Sequence, residues 1–377
     1  MNIAYFISSH GFGHASRAIA IMEALSEKDP DIHFDVYTGT QEWLFRDAGL
    51  RNFTFHPGAV DVGLVQLTPM EHDLPRSVET IRNYLNSIPE RSEFLASELL
   101  KNETDAVICD ISPLGIISGK KAGLSVFLFE NFTWDWIYEL YEEECPEFRE
   151  IDARLKEIFV QADYRMQSEP LCDPLPTADI LIPPVSRKPH HTAAEFRKSL
   201  NIPDSHHIGL ISMGGIPENL EFAVNSHIPD VLTLLLPGTF GKTEKIGNKI
   251  LLPHHSEYYH PDMVRAADFV IGKAGYSTIA EVCNAGAAYG FISRPNFRES
   301  DVTADFLRQR PNTLEINQDR FESFTLDEEI KTLLTLGKIA PQPINGANIT
   351  ADFIIEKMIR HNKNTPKKEI IQGQTIF

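Results

Sequence analysis

The chain has 377 residues, more than one hydrophobic core usually organises, so two domains are expected. Its formal net charge of -18 argues against nucleic acid or an anionic membrane as a general partner, leaving room for one locally basic anion pocket. The four cysteines, Cys109, Cys145, Cys172 and Cys283, form no C-x-x-C pair and fit a reducing compartment better than a disulfide or zinc framework. Met1 to Ile7 lacks the basic start of a signal peptide, and no apolar run approaches the roughly 18 residues that cross a bilayer. A cytoplasmic protein without an integral membrane segment is expected.

In chain order, Asn2 to Ile7 is a buried first strand running into Ser8-Ser9-His10-Gly11-Phe12-Gly13-His14. Ala18, Ile19, Ile21, Met22 and Leu25 follow at near-helical period. Ile32 to Tyr37 is predicted as strand and Gln41 to Ala48 as helix, and this alternation signals a parallel α/β sheet. Asp61 to Pro75 is rich in turn formers and is expected to be an irregular loop facing the site. Val78 to Leu100 is predicted as helix. Asp105 to Asp110 and Ser125 to Phe129 are predicted as strands, the second leading into Asn131 to Trp136.

Prolines between Ile180 and Pro189 mark a boundary, after which the pattern restarts. Ile208 to Ser212 is a strand ending at Met213-Gly214-Gly215, and Val231 to Leu236 and Ile250 to Leu252 are two more. The strand Phe269 to Ile271 stops at Gly272, Gly275 supplies a turn, and Ser277 or Thr278 opens an amphipathic helix. Ala287 to Ile292 is a strand leading into Ser293 to Asp301. The expected division is an acceptor domain at 1–183, a donor domain at 184–345, a C-terminal helix at 346–362 and a flexible tail at 363–377. Both glycine turns follow strands, at the edge where such sheets bind ligands.

A helix that starts after a glycine turn aims unpaired N–H groups and partial positive charge at its ligand, most often phosphate. Lys273 adds a cation at the same rim, and Glu281 is placed to accept from a ribose diol. Thr278-x-x-Glu281 equally fits a capping box with no ligand. Gly11-Phe12-Gly13 is half of a dinucleotide fingerprint, but Ser16 takes the third small-residue position and no acid ends the second strand, which counts against a nicotinamide enzyme. His10 and His14 could instead face the cleft and take a proton from a hydroxyl, or serve only as caps and loop hydrogen bonds. The helix dipole at His14 suits a neutral base better than a standing charge. Asp110 is placed either to orient a histidine or to form an Asx-turn before Ser112-Pro113. His254-His255-Ser256-Glu257-Tyr258-Tyr259-His260 matches no zinc spacing, so a loop reading a nucleobase edge is preferred to a metal site. Glu299, Ser300 and Asp301 could bind sugar hydroxyls or simply open a solvated helix.

Taken in order, His10-Gly-Phe-Gly-His-Ala-Ser-Arg17, Gly272-Lys-Ala-Gly-Tyr-Ser-Thr-Ile-Ala-Glu281 and Arg294-Pro-Asn-Phe-Arg-Glu-Ser-Asp301 resemble inverting glycosyltransferases of the GT-B fold. The resemblance extends to the peptidoglycan N-acetylglucosaminyltransferase family and to the transferase-like N-terminal half of plant L-arabinokinases. It implies two Rossmann-like domains facing a cleft and a nucleotide-sugar donor, a UDP-sugar, as co-substrate. No other cofactor and no metal are implied. Gly214 and Gly215 would approach the diphosphate, Lys273, Gly275, Ser277 and Thr278 would cradle it, Glu281 would hold the ribose, and Gly13 and Tyr276 would be further nucleotide-sugar contacts. Pro253 and His254 would lie by the base, and Glu299, Ser300 and Asp301 by the donor sugar. His14, with His10 and Asp110, would serve the acceptor, a small molecule or glycan. A non-catalytic sugar-nucleotide-binding protein and a non-hydrolysing epimerase share this architecture and stay open.

Overall fold

The computed structural model describes residues 1–68, 71–214, 221–239, 241–293 and 297–364. The first half runs β1 (Asn2–Ile7), α1 (Phe12–Lys28), β2 (His33–Thr38), α2 (Trp43–Asp47) and β3 (Phe53–Pro57). Next come the short β4 (Gln66–Thr68) and β5 (Glu71–His72), then α3 (Leu74–Lys101), β6 (Ala106–Asp110), α4 (Pro113–Lys121) and β7 (Ser125–Glu130). It closes with α5 (Trp134–Glu139), α6 (Phe148–Phe159), β8 (Tyr164–Ser168) and β9 (Ile180–Ile182). The second half runs α7 (Ala193–Ser199), β10 (His207–Ser212), α8 (Glu221–Asn225), β11 (Leu232–Thr239), β12 (Glu244–Ile246), β13 (Lys249–Pro253) and α9 (His260–Ala266). It continues with β14 (Phe269–Lys273), α10 (Tyr276–Ala285), β15 (Ala288–Ile292), α11 (Arg298–Arg308) and β16 (Thr313–Glu315), and ends with α12 (Gln318–Glu322), α13 (Asp327–Leu336) and α14 (Gly346–Asn364).

The first sheet has the order β3-β2-β1-β6-β7-β8-β9, all parallel. The second has the order β12-β13-β11-β10-β14-β15-β16, parallel except for the edge strand β12. Each order reverses direction once, between β1 and β6 and between β10 and β14. A crevice opens at the carboxyl ends of the strands at such a reversal. The reversal therefore decides which loops meet: those after β1 and β6 in one half, and those after β10 and β14 in the other.

Parallel strands are covered on both faces, so the central ones, β1, β6, β7 and β14, are largely apolar rather than alternating with polar residues. In β1, Ala4 and Phe6 join one core while Ile3, Tyr5 and Ile7 join the other. In β14, Val270 faces one core and Phe269 and Ile271 the opposite one. Each such side chain contributes about 1.5–3 kcal/mol on full burial. α14 returns to the first half, where Ala347, Ala351, Ile354 and Met358 complete the core beneath α1 at helical spacing, and Lys28 pairs with Asp352 at 2.6 Å.

Several boundaries differ from expectation for local reasons. Asp61 to Pro75, expected as irregular loop, contains the β4–β5 pair and the start of α3, whose N-cap is Asp73 with a proline in its first turn. The Asx-turn alternative for Asp110 is not formed, because Ser112 itself caps α4 by accepting from Gly115 N–H. The capping box considered for Thr278 and Glu281 is also absent, since Gly275 is the N-cap of α10; a capping box is instead formed by Thr192 and Glu195 on α7. Gly215, Arg294, Pro295, Asn296 and residues 365–377 of the expected tail lie outside the described residues.

Candidate active site

At the first reversal, Gly11 has φ 75° and ψ 178°, a conformation in essence reserved for glycine, and it turns the chain from β1 into α1. Ile7 pairs with Asp110 across the β1–β6 ladder, which brings the last residue of β6 under the first turn of α1. His14 Nδ1 lies 2.6 Å from Asp110 Oδ1. A carboxylate oxygen this close requires a proton between the two, so in the neutral ring Nδ1–H donates to Asp110 and Nε2 keeps its lone pair. Arg17, one turn further along α1, clamps the same carboxylate, donating from Nε to Oδ2 at 2.6 Å and from Nη2 to Oδ1 at 2.7 Å. Burial alone would raise the Asp110 carboxyl, but Arg17 and then His14 outweigh it and hold the group below its ordinary range.

His10 lies in the turn after β1, its ring edge-on to Trp134 with centroids 5.2 Å apart. A side chain at Gly63 would strike His10 Nδ1 at 2.6 Å, which explains the small residue there. Trp134 Nε1–H donates to the buried Asp61 at 2.8 Å. Burial raises the Asp61 carboxyl, opposed by hydrogen bonds from Ser8 and Trp134.

At the second reversal, Ser212 pairs with Gly272, and a Cβ at Gly272 would fall 1.9 Å from the Ser212 carbonyl oxygen, so no other residue fits. Gly214 turns the chain after β10 at φ 79°. Gly275 does not use glycine's conformational freedom: its backbone is extended, at φ -94° and ψ 144°, and a Cβ there would meet only the Lys273 carbonyl oxygen, at 4.0 Å. What it lacks is a side chain in front of α10, and no side chain caps that helix. The two glycine turns face one another, since a Cβ on Gly13 would lie 3.9 Å from Ser277 Oγ.

Between them lies a cleft of about 850 Å³. Of the expected nucleotide ligands, Gly214, Pro253, His254, Ser277 and Thr278 line it. Phe12 and Trp43 of the first half form the opposite wall. The loop after β13 grips that wall: His255 stacks on Trp43 at 4.4 Å and pairs with Asp47 at 3.0 Å, while His254 lies 5.4 Å from the Phe12 ring. Burial, and then His255, lower the His254 imidazole. Among the described residues no group of three or more His, Cys, Asp or Glu could hold a metal ion.

Other expected residues stand elsewhere. Glu281 does not present an open carboxylate: Oε1 accepts from Arg187 Nε at 3.0 Å and Nη2 at 2.8 Å, and Oε2 lies 2.6 Å from His260 Nδ1. Burial would raise this group, but Arg187 and His260 together bring it down to about 2. His260 Nε2 in turn lies 2.8 Å from Ser212 Oγ, so Arg187, Glu281, His260 and Ser212 form one chain, of which Arg187, His260 and Ser212 line the cleft. Tyr276 turns away from the cleft. Its hydroxyl bonds Ser168 Oγ and accepts from Val185 N–H, and its ring lies 5.0 Å from the Arg17 guanidinium, wedging the two halves. Lys273 is the last residue of β14, two positions before Gly275. Glu299, Ser300 and Asp301 open α11, where Glu299 accepts from Asn131 Nδ2 at 2.9 Å, Ser300 is buried and Asp301 is exposed. Arg17 and Asp61 fell within stretches already singled out, but neither they nor Asn131, Arg187 and Trp43 could be given individual roles from the sequence, because those roles arise from contacts between distant segments. His260 lay in the histidine-rich loop already singled out.

No protein-family model matches the chain. It is 27% identical over 373 residues to the L-arabinokinase of Arabidopsis thaliana, covering 95% of this chain and 34% of that protein. The chain thus spans about a third of the length of the curated relative it matches. Among solved structures it is similar to UGT89C1 of Arabidopsis thaliana with quercetin, at TM-score 0.60 and 11% identity over 95% of this chain and 99% of that one. It is similar also to the spinosyn rhamnosyltransferase SpnG, at TM-score 0.56 and 13% identity over 97% and 100% of the two chains. MurG of Acinetobacter baumannii gives a TM-score of 0.52 at 14% identity over 94% and 99%. These structures share two α/β domains around a cleft, and no helix among the described residues is long and apolar enough to cross a membrane. The chain has the GT-B fold of these glycosyltransferases, and its sequence is similar along nearly its whole length to one segment of a plant L-arabinokinase.

Proposed function

We propose that the chain is an inverting, metal-independent glycosyltransferase of the hexosyltransferase type, moving a sugar from a nucleotide sugar, a UDP-sugar, to an acceptor hydroxyl. The observation that carries this reading is a buried His14–Asp110 dyad at the first turn of α1, whose Gly13 faces Ser277 at the uncapped N-terminus of α10. Fold relatives support the donor class: UGT89C1 of Arabidopsis thaliana has been captured with UDP-L-rhamnose.

In this reading Nε2 of His14 takes the acceptor proton as the hydroxyl oxygen attacks C1 of the sugar. The bond from C1 to the diphosphate oxygen breaks on the opposite face, and its electron pair leaves with the nucleoside diphosphate. The amides of Ser277 and Thr278, with Lys273, meet the developing charge, each pre-aimed donor being worth on the order of 3 kcal/mol when removed. One base on the acceptor side suffices for inversion, and leaving-group charge met in this way needs no divalent ion. Gly13, Gly214 and Gly275 give backbone access to the diphosphate, His254 and Pro253 flank the base, and Glu299 with Asp301 reaches the sugar. Glu281 would hold the ribose only through the remaining acceptor capacity of Oε2, or by exchanging one partner.

The limited span of the L-arabinokinase match favours one second reading, a sugar-nucleotide-binding segment without transfer activity. Mass spectrometry of a nucleotide-sugar panel against phenolic and sugar acceptors separates the two. Transfer by wild type, lowered about a hundredfold or more in His14→Ala, is the expected result. Binding without transfer would leave the second reading, and a changed donor sugar with no acceptor present would identify an epimerase.

A further inference from the structure

The hydrogen bonds around Arg17 run further than the dyad needs. Arg17 is 1% exposed, and its Nη1 donates to the Asn131 side-chain oxygen at 2.6 Å. Asn131, also 1% exposed, then donates from Nδ2 to Glu299 Oε1 at 2.9 Å. An asparagine between a guanidinium and a carboxylate has its amide orientation fixed by charge, oxygen to the cation and nitrogen to the anion. His14, Asp110, Arg17 and Asn131 belong to the first half and Glu299 to the second. Asn131 is therefore where an unbroken polar chain passes from one half to the other. α11 is clamped beside this crossing: Arg298 lies 4.1 Å over the Trp136 ring, donates to the Trp136 carbonyl and pairs with Glu139 at 2.8 Å.

We propose that Asn131 is a positioning residue that couples the seating of the second half, through Glu299, to the geometry of the His14–Asp110 dyad. It rests on the reading of the dyad as proton acceptor and of Glu299 as a donor-sugar ligand. Glu299 orients the amide, the amide fixes the plane of the guanidinium, and the guanidinium holds the carboxylate on which His14 is aligned. Seating of the donor under α11 and alignment of the base are then one event, and a cleft without that contact holds its base less firmly.

Exchanging the amide and the carboxylate tests this. Asn131→Asp keeps an oxygen toward Arg17 but sets a second carboxylate against Glu299, so kcat falls on the order of tenfold while UDP affinity is unchanged. Adding Glu299→Gln returns an N–H donor from the other side. The double variant then transfers faster than Asn131→Asp alone, although Glu299→Gln alone is slower than wild type. Additive losses would show that the two side chains are not coupled, and a merely structural asparagine would leave the His14 ring proton unmoved. Proton NMR provides a second readout: the hydrogen-bonded Nδ1–H of His14 gives a downfield resonance that shifts or broadens in Asn131→Asp and returns in the double variant. An unmoved resonance, or additive kinetics, overturns the proposal. If wild type transfers no sugar, the function reading fails, and the resonance alone decides the coupling.

Discussion

Gly275→Asp separates the ligand role of the α10 N-terminus from its structural role. Gly275 has an extended backbone open to any residue, and a Cβ there meets only one carbonyl oxygen, at 4.0 Å. Aspartate is a favoured N-cap, and α10 has no side-chain cap, so the substitution is expected to leave stability unchanged or to raise it by a few tenths of a kcal/mol. Nucleotide binding responds oppositely. A unit negative charge about 4 Å from one phosphate charge costs about 4 kcal/mol at the effective dielectric of a protein surface. Affinity is therefore expected to fall on the order of a hundred- to a thousandfold. Thermal unfolding and calorimetric titration on one sample give both numbers, with Gly275→Ser as the control that adds a cap without a charge. Undiminished nucleotide affinity in Gly275→Asp would mean that the diphosphate lies elsewhere, and an unfolded variant would contradict the backbone geometry of Gly275.

Asp110→Asn leaves the buried Arg17 with no anion in direct contact and removes the carboxylate that His14 needs, so it lowers both stability and transfer. Breaking a buried pair costs about 3–5 kcal/mol, on the order of 10 °C in Tm for a domain of this size, and loss of the orienting carboxylate lowers kcat on the order of ten-thousandfold in a comparable arrangement. Thermal scans with transfer assays check both, and an active variant with an unshifted Tm would contradict the dyad. The Glu281 carboxyl lies at about 2 in the folded chain against its ordinary 4.5. Its contribution, on the order of 3 kcal/mol, is complete above about pH 4.5 and is lost as pH falls towards 2. The Tm difference between wild type and Glu281→Gln should therefore shrink over that window. Asp152 has the opposite sign: burial, and then Glu142, push its carboxyl up to about 9. Its cost to the fold grows as pH rises from about 4 towards 9, so Asp152→Asn is expected to raise Tm at pH 8 and to do little at pH 4.

The parts of the fold visible in the sequence were those with a strong local signal. β1 and β14 are short apolar runs stopped by glycine, and both proved to be central strands with both faces buried. Helices lacking such contrast were missed. α6 has a clear apolar stripe in Phe148, Ile151, Leu155 and Phe159 but an acidic surround, and α13 is announced only by Asp327, Glu328 and Glu329 in its first turn. Within the site, the sequence placed His14 at a helix start and Asp110 at a strand end, yet the meeting of these two residues, 96 positions apart, depends on β1 lying next to β6. Arg187 and Glu281 are 94 positions apart and meet only once the second half has folded, which is why Glu281 could be read as an open ribose ligand. Gly275 was expected to supply a special turn; what it supplies is the absence of a side chain.

The most direct measurement of the proposed function is calorimetric titration of UDP, GDP, dTDP and ADP into the wild-type chain and into Glu281→Ala. Micromolar binding of UDP, weaker for the other three and weaker again in the variant, is the predicted result. No heat from any of the four would contradict the placement of a nucleotide sugar in this cleft, and with it the transferase reading.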